Sequence, residues 1–461
     1  MAEKIYDLIV IGGGPGGYVA AIRAAQLGMV TAVMEKEHLG GTCLNVGCIP
    51  TKTLFQSAEV ANTVRESAKY GIGSSLTGVD FPAVIRRKDT VVKQLVNGVG
   101  FLLKKNKVDV IMGEAKLLSA KQVKDTKSGK IYQTKNILIT TGSSNAVPPI
   151  PGLKGERVID STDLLALQTM PKSLAIIGGG VIGCEFASIL NAFGCKITVV
   201  EMLPNLLGNM DSSLADAVKS QFAKEGIQVE LGAKVKSVSD KGGQKVVTFE
   251  KNGSEGTVSA EYVLVSTGRK ANSVGLGCEE LGMKMDRGFI QVDSHMRTSV
   301  SGIYAAGDIT GQGMLAHTAS EGGVVAVENM AGIDRQLHLN AVPKVVFVDK
   351  EVASVGMTEE EAKKAGYEVL TGVFNLVGNG KSLAMGKNEG FVKVVADKEH
   401  HAILGLHMEG PCASELVTVG TQLIASELLL EDVECTIYPH PAVAEAIREA
   451  CLAALSRAVH A

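Results

Sequence analysis

Residues 7–36 read DLIVIGGGPGGYVAAIRAAQLGMVTAVMEK, and residues 173–202 read SLAIIGGGVIGCEFASILNAFGCKITVVEM. Each opens on an apolar run of strand length and passes through G-x-G-x-x-G into a helical pattern. Each then meets a further glycine and ends in a second apolar run closed by Glu. In register, Gly12, Gly14 and Gly17 match Gly178, Gly180 and Gly183, Gly28 matches Gly194, and Glu35 matches Glu201. A glycine fingerprint alone is a weak signal. Set between a strand and a helix, with an acidic residue ending the next strand, it has the full context of a dinucleotide-binding βαβ unit.

The spacing has a physical reason. The first glycine of each loop allows the tight turn, the second lets backbone approach a pyrophosphate, and the third lets helix and strand pack closely. The helix N-terminus offers N–H groups and a positive dipole end to phosphate. Glu35 and Glu201 accept hydrogen bonds from ribose hydroxyls. A carboxylate at 201 repels a 2′-phosphate, and Met202–Pro204 supply no Arg to hold one, so the second site prefers NAD over NADP. Glu35 says the same of the first site, where FAD also fits.

The 461 residues suffice for several domains. With 45% hydrophobic and 21% charged residues, the composition fills large cores. A net charge of -3 argues against nucleic-acid partners and a basic membrane surface. No run reaches the roughly 18 apolar residues of a membrane helix. The opening MAEKIYDLIVIGGG reads as a strand entering a turn rather than a signal peptide, so the expected compartment is cytoplasmic, or a mitochondrial matrix for a processed chain. Of the eight cysteines, Cys184, Cys195, Cys278, Cys412, Cys435 and Cys451 lie among apolar residues and read as buried small hydrophobes, which suits a reducing compartment.

Further strand-to-turn units close the two repeats. NILITTGS ends at Gly142 and Ser143, and YVLVSTGR ends at Gly268 and Arg269. GIYAAGD puts Asp308 at a strand end, where it either binds a polyol chain or caps a turn. The expected fold is α/β: two Rossmann-like dinucleotide-binding domains plus a C-terminal α+β dimerisation domain. The expected divisions are 1–143 for the first site, 144–270 for the second, 271–341 returning to the first domain, and 342–461 for the C-terminal domain. Pro148–Leu153 reads as the first crossing linker, PKVVFVDKEVASVGMTEEEA as strands then a helix, and PAVAEAIREACLAALSRAVH as one amphipathic helix with Pro441 at its first position.

GGTCLNVGCIPTK (residues 40–52) sets Cys43 and Cys48 five positions apart. No second Cys/His pair follows at a zinc spacing, so no metal is expected. Two unrelated core thiols would share a helix face, which i and i+5 do not. A working disulfide needs Cα atoms about 4.4–6.8 Å apart, and five residues of regular helix rise about 7.5 Å, so the backbone must break between them. Gly47 supplies that freedom. Far along the chain, His440 and Glu445 offer a base and a carboxylate to orient it. Taken alone they read more readily as a helix-cap residue and a first-turn acid.

These motifs, in this order, resemble the pyridine nucleotide-disulfide oxidoreductases over essentially the whole chain. GCIPTK, IIGGGVIGCE, Glu201 and EVASVGMTEEEA together place the resemblance in the dihydrolipoamide dehydrogenase branch. That branch oxidises protein-bound dihydrolipoamide to lipoamide with NAD+, through FAD and a redox-active disulfide. The resemblance implies FAD on Gly12, Gly14 and Gly17, with Glu35 on the ribose, Lys52 near the isoalloxazine and Ala115 near the adenine. Thr141, Gly142, Ser143, Asp308 and the run Met314, Leu315, Ala316 and His317 complete that site. NAD falls on Gly178, Gly180, Gly183, Glu185, Glu201, Val235 and Gly268. Cys43 is the implied interchange thiol and Cys48 the flavin-facing one, while His440 with Glu445 is the acid–base pair reaching the cysteines of the other subunit of a homodimer. The implied partner is a lipoyl-bearing protein of a 2-oxoacid dehydrogenase complex or glycine cleavage system, carrying the lipoyl domain that this sequence lacks. Tyr438, Pro439, Ala442 and Ala444 depart from the family's usual residues around the dyad. The alternatives are another NAD(P)H-dependent disulfide or metal-ion reductase of the superfamily, and a flavin-binding scaffold without disulfide chemistry.

Overall fold

A computed structural model of the chain describes residues 4–460; the outermost residues of the expected first and last domains lie outside it. Two compact units are present. Among the described residues, the first comprises 4–53, 85–146 and 268–338, and the second comprises 54–84, 147–267 and 339–460.

In the first unit, parallel strands run in the order Asp109–Met112, Thr31–Glu35, Ile5–Ile11, Ile131–Ile139 and Ile303–Ala305. Leu8, Ile9, Val10, Ile137, Leu138 and Ile139 have no exposed surface. Continuous apolar strands of this kind are the mark of a parallel sheet covered on both faces. Antiparallel strands Gln122–Asp125 and Ala115–Ser119 extend the sheet beside Ile131–Ile139.

The second unit repeats the first four strands of that order with Gln228–Glu230, Lys196–Val200, Ser173–Ile177 and Tyr262–Val265, and adds Val158–Ile159, which precedes them in sequence, at the edge, all parallel. The three-stranded meander Lys234–Lys241, Gln244–Lys251 and Ser254–Ala260 is inserted ahead of Tyr262–Val265.

From residue 344 onward the sheet is antiparallel, in the order Lys344–Val346, Val352–Gly356, Ile403–Glu409, Phe391–Asp397 and Val369–Asn375. The helix Glu359–Lys364 lies within this part of the chain, begun by a reciprocal capping box between Thr358 and Glu361. The last helix covers Glu445–Ala454, not the whole of 441–460. Pro441 stands in the preceding turn rather than at the first helical position, because Glu445 bonds back to the Ala442 N–H and closes that turn. The helix lies directly on Val369–Asn375: a Cβ on Gly372 would sit 2.0 Å from the Ala450 carbonyl oxygen, so only glycine admits this approach.

The cysteine expectation needs one correction. Cys184, Cys195, Cys278 and Cys451 are buried, but Cys412 and Cys435 are exposed. Both lie at helix ends, where a neighbouring apolar residue does not imply a shared core face. Among the described residues, no helix is long and apolar enough to cross a membrane.

Candidate active site

The two glycine loops are built alike. Gly12 N–H donates to the Met34 carbonyl at 2.8 Å, and Gly178 N–H to that of Val200 at 3.0 Å, so each turn leaves its strand at the same point. A Cβ on Gly17 would lie 1.9 Å from the Gly12 oxygen, and one on Gly183 would lie 2.1 Å from the Gly178 oxygen. Helices Pro15–Gln26 and Val181–Ala192 begin after Gly14 and Gly180 with no side-chain cap, leaving their first N–H groups for a ligand.

Each acidic residue grips its own loop. Glu35 accepts from Gly13 N–H at 2.7 Å and Glu37 N–H at 2.8 Å. Glu201 accepts from Gly179 N–H at 2.5 Å and Leu203 N–H at 2.7 Å. Sequence reasoning missed a second pair of grips. Thr140 Oγ1 donates toward the carbonyls of Ile11 and Gly12, at 3.0 and 2.9 Å, and Ser266 Oγ does the same toward Ile177 and Gly178, at 3.2 and 3.1 Å. The hydroxyl before each TG pair was the available signal.

The remaining residues expected at the first site gather in the first unit. Helix Ala316–Met330 packs on Pro15–Gln26: a Cβ on Gly323 would meet the Gly16 oxygen at 2.4 Å. This brings the run Met314, Leu315, Ala316 and His317 to the glycine loop. Asp308 hydrogen-bonds with the Ser143 hydroxyl, and Arg269 Nε donates to that hydroxyl at 2.6 Å while lying 3.8 Å from Asp308. Arg269 is a third residue that sequence reasoning left without a role. Gly113 N–H bonds the Glu35 carbonyl at 2.9 Å, which carries Ala115 close to that strand end. The hydroxyls of Thr141 and Thr318 and the side-chain carbonyl of Gln312 are buried without a hydrogen-bond partner.

In the second unit, Glu185 is buried and accepts from Phe347 N–H at 3.2 Å. The Val235 side chain belongs to the apolar core, so its backbone is what a ligand would meet.

The cysteine segment starts against the first loop. A Cβ on Gly41 would lie 2.7 Å from Gly14 Cα, and the chain there has φ +56. Helix Gly41–Val46 stops at Gly47, and Cys48 starts helix Cys48–Glu66. The backbone therefore breaks between the two cysteines, as a bond between them requires. Both are thiols, with the Cys43 side chain hydrogen-bonded to that of Cys48. That bond, then burial, pushes the Cys43 thiol well above the usual range, while the nearby Lys52 charge opposes the shift.

His440 Nδ1 lies 2.9 Å from Glu445 Oε1, and Glu445 Oε2 accepts from Ala442 N–H at 2.8 Å. Burial raises the Glu445 carboxyl, but the Ala442 N–H and His440 outweigh it and hold the group below the usual range. The ring is 78% exposed. The substituted Tyr438 packs against the C-terminal core, and neither Ala442 nor Ala444 disturbs the pair. Among the described residues no cluster could hold a metal ion.

The sequence profile described as Pyridine nucleotide-disulphide oxidoreductase matches residues 6–323, and the profile of that family's dimerisation domain matches 342–451. A dihydrolipoyl dehydrogenase of Bacillus subtilis is 41% identical, with 99% of each chain covered. That of Geobacillus stearothermophilus is also 41% identical, over 98% of this chain and 97% of the relative. Among solved structures, LpdA from Mycobacterium tuberculosis superimposes with a TM-score of 0.89 at 27% identity, covering 96% of this chain and 98% of that one. The HOCl-induced flavoprotein disulfide reductase RclA from Escherichia coli gives 0.86 at 28%, covering 97% and 99%. The two matched glycine loops, the paired thiols and the full-length likeness agree: the chain belongs to the pyridine nucleotide-disulphide oxidoreductase family.

Proposed function

We propose that this oxidoreductase takes two electrons and two protons from protein-bound dihydrolipoamide, closing it to the lipoamide disulfide, and delivers a hydride to NAD+. The observation that carries the reading is the Cys43–Cys48 pair, broken apart at Gly47 and starting against the Gly14 loop. The cofactors of the family are FAD and NAD(H). The first loop fits FAD: its helix N-terminus is uncapped, and the buried Thr141 hydroxyl lacks a partner that a bound ring system would supply. Gly12, Gly14, Gly17, Glu35, Lys52, Ala115, Thr141–Ser143, Asp308 and Met314–His317 would hold it. Gly178, Gly180, Gly183, Glu185, Glu201, Val235 and Gly268 would hold NAD.

In the proposed sequence Cys43 and Cys48 begin as a disulfide. His440 takes a proton from the substrate thiol, and Glu445 keeps the ring oriented and balances its charge. The substrate thiolate attacks Cys43 sulfur, the Cys43–Cys48 bond breaks, and Cys48 leaves as thiolate. The second substrate thiol then displaces Cys43, releasing the cyclic disulfide. Bound FAD would supply the two-electron relay from the reduced cysteine pair to NAD+, with the Cys43–Cys48 disulfide re-formed and one proton released to solvent. Lys52 places a positive charge beside the pair and favours the anionic sulfur.

The match to a dimerisation domain supports a homodimer, and the exposed His440 suits a base that serves the cysteines of the partner subunit. The domain divisions at 143, 270 and 341 suit this division of labour, and a lipoyl-bearing protein of a 2-oxoacid dehydrogenase complex or glycine cleavage system is the expected electron donor. Anaerobic titration with dihydrolipoamide tests the reading: the visible flavin spectrum should change, and the change should disappear in Cys43→Ser. An unchanged spectrum in the native protein would refute it. The likeness to a flavoprotein disulfide reductase keeps one other reading open, and parallel rates with lipoamide, glutathione disulfide and mercuric ion distinguish the two.

A further inference from the structure

The turn that presents His440 is held from two sides, and one of the two holders has no place in the chemistry described so far. Ala442, two residues beyond His440, has its N–H bonded by Glu445 Oε2 at 2.8 Å. Its carbonyl accepts from Asn379 Nδ2 at 3.0 Å. The other end of the same amide, Asn379 Oδ1, accepts from Ser382 N–H at 2.8 Å and caps the short helix Gly380–Ala384. A carbonyl can only accept and a backbone N–H can only donate, so this pair of contacts fixes which way the amide points. Asn379 is 4% exposed, and water does not compete well for either bond.

We propose that Asn379 is a positioning residue for His440: by holding the Ala442 carbonyl it fixes the turn from which the base and its Glu445 partner work together. The inference rests on the proposed acid–base role of His440. Glu445 alone ties three points together, the Ala442 N–H, the His440 ring and its own helix start. Asn379 adds a fourth tie from a different segment of the chain. The Ala442 carbonyl also accepts from Glu445 N–H, at 3.4 Å, so without Asn379 only that longer bond holds the Ala442–Val443 peptide, and the ring shifts from the direction that meets the substrate proton. Small misplacements of a catalytic group of this kind are costly in rate.

Asn379→Ser separates positioning from folding. A serine at an N-cap still accepts from Ser382 N–H, but it is too short to reach Ala442. Asn379→Asp is the second variant: it keeps the cap and turns the donor facing Ala442 into an acceptor. Both should keep flavin content and dimer elution. The kcat for dihydrolipoamide oxidation should fall about tenfold, as for loss of one hydrogen bond that matters in the transition state, with the KM for NAD+ unchanged. The rate of dye reduction driven by NADH, which bypasses His440, should hold at the native value. Native kcat in either variant overturns the inference, as does an equal fall in the dye rate. His440→Gln is the control. If it retains the native dihydrolipoamide rate, the reading of the site fails. If it is inactive while the Asn379 variants match the native protein, only the positioning role fails.

Discussion

The two glycine loops are close copies with different surroundings. Each has a strand, a turn at Gly12 or Gly178, a third glycine pressed on a carbonyl, a carboxylate gripping the loop and a hydroxyl bonding the turn. They part after the acidic residue. Beyond Glu35 the chain runs through Gly40 and Gly41 straight back against Gly14 and into the two cysteines. Beyond Glu201, Met202 and Leu203 are exposed, and Leu206 packs against Gly179, where a Cβ would come within 2.5 Å of its side chain. The segment then ends at Asp211, a buried carboxylate that caps helix Ser212–Lys224 and meets Lys393 at 3.1 Å. One copy of the motif has the hydrogen-bonded pair Cys43 and Cys48 following its glycine loop; in the other the segment beyond the acidic residue ends in a buried carboxylate anchor, and the one sulfur at the loop, Cys184, is buried and bonded to the Gly179 carbonyl at 3.3 Å. A repeated binding unit therefore becomes two different sites through the segment attached to its acidic end.

Cys48→Ser is the strongest test of that contrast. Turnover of dihydrolipoamide should fall by about 1,000-fold or more while bound yellow flavin is retained, as for removal of a covalent nucleophile's partner. Substantial turnover in this variant would mean that sulfur chemistry does not distinguish the two loops.

Next come Gly17→Ala and Gly183→Ala, the same change in the two copies. Each forces a methyl against a backbone oxygen and costs about 1–3 kcal/mol of overpacking or more. The first should purify depleted of flavin; the second should keep flavin and lose NAD+ binding by calorimetry. Loss of the same nucleotide in both would break the assignment of one nucleotide to each loop.

Glu201→Gln leaves one acceptor oxygen where the carboxylate offered two, so Gly179 and Leu203 N–H cannot both be satisfied. The KM for NAD+ should rise about tenfold and discrimination against NADP+ should weaken, with flavin content unaffected. Glu35→Gln should do the reverse, releasing flavin on dilution without altering the nicotinamide preference. A mirror-image result exchanges the two sites.

Acid exposure bears on the anchor that only the second loop has. The Asp211 carboxyl is pushed up by burial, but hydrogen bonding by Ser213 and the charges of His407 and Lys393 outweigh this and hold it at about 2. Its folded value lies below the ordinary 3.8, so its stabilisation is present above about pH 4 and lost as pH falls toward about 2. Asp211→Asn should remove that part of the acid transition, on the order of 2 kcal/mol, as read by denaturant midpoints across pH. An unchanged pH profile would exclude Asp211 from the transition. The smallest effect belongs to the shared hydroxyls: Thr140→Val and Ser266→Ala should each cost about 1 kcal/mol, with equal losses expected if the copies are equivalent in their turns.

Much of this was legible in residue order. Strand, glycine spacing, helix and terminal Glu are local signals: they depend on φ freedom, on dipoles and on a periodicity that the chain carries with it. The break at Gly47 followed in the same way, from the rise of a helix against the reach of a disulfide. Pro441 misled because a proline in a sequence marks a turn and a helix start equally well, and the Glu445–Ala442 bond that chose between them forms only once the side chain folds back. Cys412 and Cys435 misled because apolar neighbours in sequence need not share a face in space.

The sequence by itself determined two nucleotide loops, a closely spaced cysteine pair and the residue types of an acid–base couple, since each is encoded within a few tens of residues. Tertiary structure alone decided that Thr140 and Ser266 bond the turns, that Arg269 joins Ser143 and Asp308, and that Asn379 holds the carbonyl two residues past His440. Those partners are separated by tens to hundreds of positions. A hydrogen bond needs atoms within about 3 Å, and no local propensity specifies which distant residue will arrive there.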